Sequence, residues 1–208
     1  MDVKPLLTIA DHPGPGAGRS PIGRWLVGLL RLGRRDVGDD VAHRLYRQAV
    51  EQARQPAFYR DLAVPDTVDG RFDLIVLHVI LVLRRLAAEG EDAAPLGRRV
   101  QEVLFDDMDR ALREMGVGDL SVGKQVKKMA EAFFGRLDAY GQALGAPAED
   151  AALADAVRRN IYRGAPPSDQ VVDRFAAYVE AAVARLAAVG SDGLARGRID
   201  FGPVGPEA

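Results

Sequence analysis

Leu74-Ile-Val-Leu-His-Val-Ile-Leu-Val-Leu83 is the stretch whose reading decides the fold. It is apolar on every side except at His78, so no single face of it is meant for water. Its β-branched content alone permits a buried strand. Length and ending argue otherwise. The pattern starts near Asp69, continues through Arg84-Arg85-Leu86-Ala-Ala-Glu and stops at Gly90, which is helical length with a helical stop signal. A helix apolar all round belongs at the centre of a bundle, surrounded by others. His78 reads as a buried, hydrogen-bonded core residue.

Working outward, the segments on both sides supply those other helices. Asp39 or Asp40 opens one that runs to about Arg54, with Val41, Leu45, Tyr46, Ala49 and Val50 inward. Residues 55–68 hold Pro56 and Pro65 and read as a connector in which Asp66 orders the turn, and Asp69, just after it, is the candidate cap of the central helix. A third helix spans about Pro95–Met115, with Val100, Val103, Leu104, Met108, Ala111, Leu112 and Met115 buried, and it ends at Gly116 and Gly118. Ser121 caps a fourth to about Leu144, whose stripe is Val122, Val126, Met129, Phe133, Leu137, Tyr140 and Leu144. A fifth runs about Glu149–Tyr162. A sixth, opened by Pro166-Pro167-Ser168, covers about Asp169–Ala188, with Val172, Phe175, Ala176, Val179, Val183 and Leu186 inward. A glycine-rich tail follows, with one short extended piece at Arg198–Phe201. The expected fold is all-α, a single compact domain of about six helices.

Composition sets the outer limits. The chain has 208 residues, net charge -2 and no cysteine, which removes disulfides, thiolate metal sites and a cysteine nucleophile. Its three histidines, His12, His43 and His78, are too scattered for a metal cluster. Charge is uneven. Residues 1–35 carry six basic side chains (Lys4, Arg19, Arg24, Arg31, Arg34, Arg35) against two acidic ones (Asp2, Asp11), and the remainder carries 22 basic and 28 acidic. A basic arm thus precedes an acidic body. Within the arm, Ile22, Trp25, Leu26, Leu29 and Leu30 recur at helical spacing among arginines. That describes either a short interfacial helix, with Trp25, Leu26, Leu29 and Arg31 as membrane contacts, or a helix packed on the body. The domain reading is 1–36 arm, 37–190 helical domain and 191–208 tail.

No motif argues for catalysis. Gly118-Asp-Leu-Ser-Val-Gly-Lys124-Gln125 misses the phosphate-binding loop pattern by one residue, since Gln125 occupies the place of the magnesium-binding hydroxyl. A helix also precedes it where that fold needs a strand, so it reads as a corner between helices. Asp106, Asp107 and Asp109 suggest a magnesium and diphosphate site of the isoprenoid-synthase kind. The position of the last acid is Arg110, however, and the plain reading is a solvated acidic face with an Asp109–Arg113 pair. Lys124, Lys127, Lys128 and Arg136 form a concentrated positive face on the fourth helix, which on its own reads first as an ordinary solvated face and otherwise as a holder of phosphate of ribosomal RNA or lipid. No cofactor and no metal is expected.

Longer strings carry more. Leu45-Tyr-Arg-Gln-Ala-Val-Glu-Gln-Ala-Arg-Gln-Pro-Ala-Phe-Tyr59 and Val64-Pro-Asp-Thr-Val-Asp-Gly-Arg-Phe-Asp73 are followed by Phe105-Asp-Asp-Met-Asp-Arg-Ala-Leu-Arg-Glu-Met-Gly-Val-Gly-Asp-Leu120. Then come Val122-Gly-Lys-Gln-Val-Lys-Lys-Met-Ala130, Ala132-Phe-Phe-Gly-Arg136, Tyr140 and Asn160. In this order, over roughly residues 40–180, the sequence resembles the ubiquinol–cytochrome c chaperone family. The resemblance implies an assembly factor for respiratory complex III rather than an enzyme. It would bind nascent cytochrome b near the ribosomal tunnel exit, with a small partner protein in the mitochondrial relatives. It would work on the cytoplasmic side, peripheral to the inner membrane, in a bacterium, and on the matrix side in a eukaryote. The client surface expected on this basis is the corner between the third and fourth helices: Asp106, Asp107, Asp109, Arg113, Gly116, Gly118 and Asp119. Lys124, Lys127, Lys128 and Arg136 would hold the ribosome or lipid. Two rivals stay open, an all-α magnesium/diphosphate enzyme and a general membrane-peripheral scaffold using residues 21–35.

Overall fold

A computed structural model of the chain describes residues 37–147, 151–163 and 165–205. Its helices are α1 (Val37–Ala53), α2 (Pro56–Arg60), α3 (Val68–Ala87), α4 (Ala94–Glu114), α5 (Asp119–Ala143), α6 (Ala152–Asn160), α7 (Asp169–Ala188) and α8 (Ser191–Ala195). A 3-10 turn, Glu91–Ala93, leads into α4. No strand occurs among the described residues. The six long helices are those expected. The two short ones, α2 and α8, lie where a connector and a tail were read. The basic arm, with Trp25, Leu26, Leu29 and Arg31, falls outside the described residues.

α3 is the axis of the bundle. Leu74, Val76, Leu77, Val79, Ile80, Leu81, Val82 and Leu83 are all buried, because α3 packs on α1, α4, α5 and α7. Its start is set by Thr67, not by Asp69. Thr67 is extended (φ -123, ψ 166) and its hydroxyl accepts from the Gly70 amide at 3.1 Å. The chain doubles back so tightly there that a Cβ on Gly70 would lie 2.0 Å from the Pro65 carbonyl oxygen. Asp66 accepts from Arg71 at 2.6 Å. α7 starts after Pro166-Pro167-Ser168 as expected, and Ser168 caps it by accepting from the Val171 amide at 3.3 Å.

Other expectations are corrected. α5 begins at Asp119 behind an extended Gly118, so Ser121 is inside the helix and caps nothing. Met115 and Ala111 face solvent, because α4 ends at Glu114 and the chain leaves through Gly116 (φ +81) before any element can cover that side. The piece at Arg198–Phe201 finds no strand partner. It lies on the helices instead, with the Ile199 amide donating to Gln48 at 3.2 Å and Phe201 buried against His78, ring centroids 5.0 Å apart.

His78 shows how that core is wired. Its Nδ1 lies 2.7 Å from the Leu74 carbonyl, which can only accept, so Nδ1 carries the proton. Nε2 therefore accepts from the Tyr178 hydroxyl at 2.7 Å. Tyr178 in turn accepts from Gln52 at 3.0 Å, and Gln52 donates to the Gly202 carbonyl at 2.9 Å. One satisfied network thus joins α1, α3, α7 and the C-terminal segment. Burial pushes the His78 pKa down to about 4, against a partial opposing pull from the Leu74 carbonyl.

Candidate functional site

Two charge-rich regions stand out. The first is the α4–α5 corner. Gly116 and Gly118 turn the chain through it, and Arg113 ties its two sides together: the guanidinium meets Asp109 at 2.6 Å on α4 and Asp119 at 2.5 Å on α5. The other acids point elsewhere. Asp107 accepts from the Tyr46 hydroxyl on α1 at 2.7 Å and sits 3.5 Å from Arg110. That phenol is held well above its usual range by burial, then by Asp107. Asp106 lies 3.9 Å from Arg99, and burial raises its pKa despite that cation. The three aspartates therefore diverge onto separate partners. No acid or histidine group arranged to hold a metal ion occurs among the described residues.

Apolar exposure marks the same corner. Met115 is 56 % exposed and Leu120 is 102 % exposed. Fourteen residues beyond Leu120 on α5, nearly four turns and so close to the same side of the helix, Phe134 is 37 % exposed with its ring edge against Phe133. Sequence periodicity missed all three. Leu120 precedes the apolar stripe of α5, Phe134 adjoins the buried Phe133, and Met115 fits the α4 stripe. The missing signal is where neighbouring elements stop, which a single helix pattern does not contain.

Lys124, Lys127 and Lys128 are exposed on α5, as the sequence leads one to expect. Lys127 is 3.8 Å from Glu131; Lys124 and Lys128 have no carboxylate at that range among the described residues. Arg136 does not join them. It turns inward and its Nη2 lies 2.7 Å from Asp73, whose side chain is 0 % exposed.

That pair is the second region. Arg163, from the segment after α6, meets the other oxygen of Asp73 at 3.0 Å and Asp69 at 3.5 Å, from a strained backbone with φ +53. Burial raises the Asp73 pKa, and Arg136 followed by Arg163 pulls it back. Arg136 also donates to the Ala132 carbonyl at 3.1 Å and lies over the Phe72 ring. Its Nε, the Tyr140 hydroxyl and the Asn160 amide nitrogen are buried without a hydrogen-bond partner. Burial also lifts the Tyr140 phenol above its usual range. Asp73, Arg136, Tyr140 and Asn160 all belong to the strings quoted above, and in the structure they are interior groups.

The described residues thus form an all-α bundle with large apolar side chains exposed at one charged corner. The family profile described as ubiquinol–cytochrome c chaperone matches residues 60–201, and the chain belongs to that family. It is 25 % identical over 164 residues to the ubiquinol-cytochrome-c reductase complex assembly factor 1 of Xenopus laevis, covering 78 % of this chain and 81 % of that protein. It is 27 % identical over 143 residues to the Drosophila melanogaster protein of the same description, covering 66 % of this chain but only 54 % of the fly protein. Among solved structures, the Cbp3 homolog from Brucella abortus superimposes with a TM-score of 0.71 at 37 % identity, over 81 % of this chain and 92 % of that one. No helix of the described residues is long and apolar enough to cross a membrane.

Proposed function

We propose that this chain is a non-enzymatic assembly factor for the ubiquinol–cytochrome c reductase complex, and that it shields an apolar segment of newly made cytochrome b at the α4–α5 corner. The observation that carries this reading is the placing of exposed large apolar side chains. Of the four among the described residues, Met115 and Leu120 sit at the corner and Phe134 farther along α5, while Val68 stands apart. An apolar client segment can cover such side chains as a helix lies along a helical face. Asp106, Asp107, Asp109, Arg113, Gly116, Gly118 and Asp119 then serve as the frame. The Arg113 bridges fix the angle between α4 and α5, and the two glycines let the turn project. Lys124, Lys127 and Lys128 beside it hold phosphate of the ribosome or the lipid surface, which keeps the factor where the client emerges. Arg136 belongs to the interior rather than to this face. In a bacterial cell the site of action is the cytoplasmic face of the inner membrane.

Site-specific photo-crosslinking tests the reading. A photoreactive residue at position 120, in cells making tagged cytochrome b, should give a crosslink to cytochrome b, and the same residue at exposed Val68 should not. Equal yields at the two positions, or none at 120 in a strain whose complex assembles normally, overturn the assignment of the corner. Retention of complex III assembly after deletion of the gene overturns the function.

A further inference from the structure

Four buried side-chain polar atoms among the described residues have no hydrogen-bond partner: Arg136 Nε, the Tyr140 hydroxyl, the Asn160 side-chain nitrogen and Gln101 Nε2. The first three share a neighbourhood. Arg136 and Tyr140 stand at i and i+4 on α5, and so on one side of that helix. Asn160 is the last residue of α6, which packs on α5. Three residues farther on, Arg163 reaches the Asp73 carboxylate that Arg136 also holds. Asp73 and Arg136 are both close enough to the Tyr140 hydroxyl to bias its ionisation, in opposite directions, and Tyr140 is fully buried. Three unpaired groups, from α5 and α6, thus border one buried ion pair.

A polar group left unpaired away from water is costly, so these three call for a shared partner. Their donor inventory says what kind. Arg136 Nε and the Asn160 nitrogen can only donate, while the Tyr140 hydroxyl donates or accepts. The other guanidinium nitrogens of Arg136 are already engaged, Nη1 by the Ala132 carbonyl at 3.1 Å and Nη2 by Asp73 at 2.7 Å. The partner must therefore accept at least two hydrogen bonds. An anion accepts them but would sit beside the buried Asp73 carboxylate, and a cation would face the donors. A small neutral group that both accepts and donates suits both sides. We propose that the junction of α5 and α6 beside Asp73 is a binding site for one ordered water molecule, which accepts from Arg136 Nε and Asn160 and bonds the Tyr140 hydroxyl. Three hydrogen bonds are the usual complement of a buried water. The same water serves either orientation of the Asn160 amide, because it donates to the oxygen as readily as it accepts from the nitrogen. It makes solvent a structural part of the attachment of α6, and the site shares no residue with the client corner.

A crystal structure of the wild-type chain at a resolution that shows ordered water tests this, with a second crystal soaked in sodium bromide. One density peak should lie about 2.7–3.2 Å from Arg136 Nε, the Tyr140 oxygen and the Asn160 amide, with no anomalous bromide signal. An anomalous peak there gives the site to an anion and overturns the proposal. So does pairing of the three groups with protein acceptors, or density that reaches only one of them. Water deuteron relaxation dispersion, which counts long-lived internal waters, provides the solution test. The wild-type amplitude should exceed that of a Tyr140→Phe, Asn160→Leu double variant by about one water per molecule; equal amplitudes overturn the proposal. The melting temperature checks the fold of the double variant, and the wild-type density decides alone should that variant not fold.

Discussion

The two charged regions are built from the same residue types and do opposite things. At the Asp73–Arg136 pair, carboxylate and guanidinium are withdrawn from water, and Arg163 reaches the same carboxylate from the surface. At the α4–α5 corner, Arg113 bridges Asp109 and Asp119 in the open. Arg136 and the three lysines even share one helix. The difference is the local dielectric. A buried charge that loses its partner keeps its full desolvation penalty, while an exposed one is rehydrated at little cost. The interior site is therefore tied to folding, and the corner is free to be used.

The largest effect that can break this contrast is Asp73→Asn. It strands Arg136, whose side chain is only 14 % exposed, and should lower stability by about 3–5 kcal/mol. Chemical denaturation reads this directly, and adding Arg136→Met should recover part of the loss. A cost below about 1 kcal/mol would mean that the site is wetter than its burial implies.

Acid titration of stability comes next. The folded His78 pKa lies at about 4, below its ordinary 6.5. As pH falls the unfolded chain takes up that proton first. Stability from this group is thus complete above 6.5 and drains between 6.5 and about 4, by roughly 3 kcal/mol in all. A His78→Gln variant should lack this component of the acid limb. If its limb matches the wild type, another group is responsible.

Glycine substitutions should differ in sign between the regions. A methyl at Gly70 meets the Pro65 carbonyl, so Gly70→Ala should cost about 1–3 kcal/mol or more. A methyl at Gly135, on the outer side of α5, meets nothing, so Gly135→Ala should stabilise by about 0.5–1 kcal/mol. Denaturant midpoints of the two variants moving in the same direction would contradict the geometry.

The smallest change in stability belongs to Lys124/Lys127/Lys128→Glu, within about 0.5 kcal/mol per position as for surface substitutions in general. Its effect should be on location: loss of co-sedimentation with ribosomes or membranes. Unchanged co-sedimentation removes the lysines from the proposed role. Arg113→Ala should likewise leave the melting temperature in place and loosen only the corner.

Much of the architecture is legible from periodicity. The α3 run, the α5 stripe and the start of α7 after Pro166-Pro167-Ser168 each follow from local spacing and local turn chemistry, and each stands where expected. The site was less legible. Lys124, Lys127 and Lys128 are exposed as read, whereas Arg136, farther along the same helix, is drawn inward by a carboxylate 63 residues away. Met115 fits the buried stripe of α4 and is bare because the bundle ends beside it. The tail looks like loose chain by composition, yet Gly197, Ile199 and Phe201 seat it on α1 and against His78.

By itself the sequence determined what depends on near neighbours along the chain: which segments are helical, which helix is central, that His78 is interior, and, through long matching strings, the family. Tertiary structure alone decided which charges are hidden and which are offered. Burial depends on what packs against a residue from elsewhere in the chain, and the partners that settle it (Asp73 for Arg136, Arg196 for Arg44) lie far beyond the reach of any local pattern.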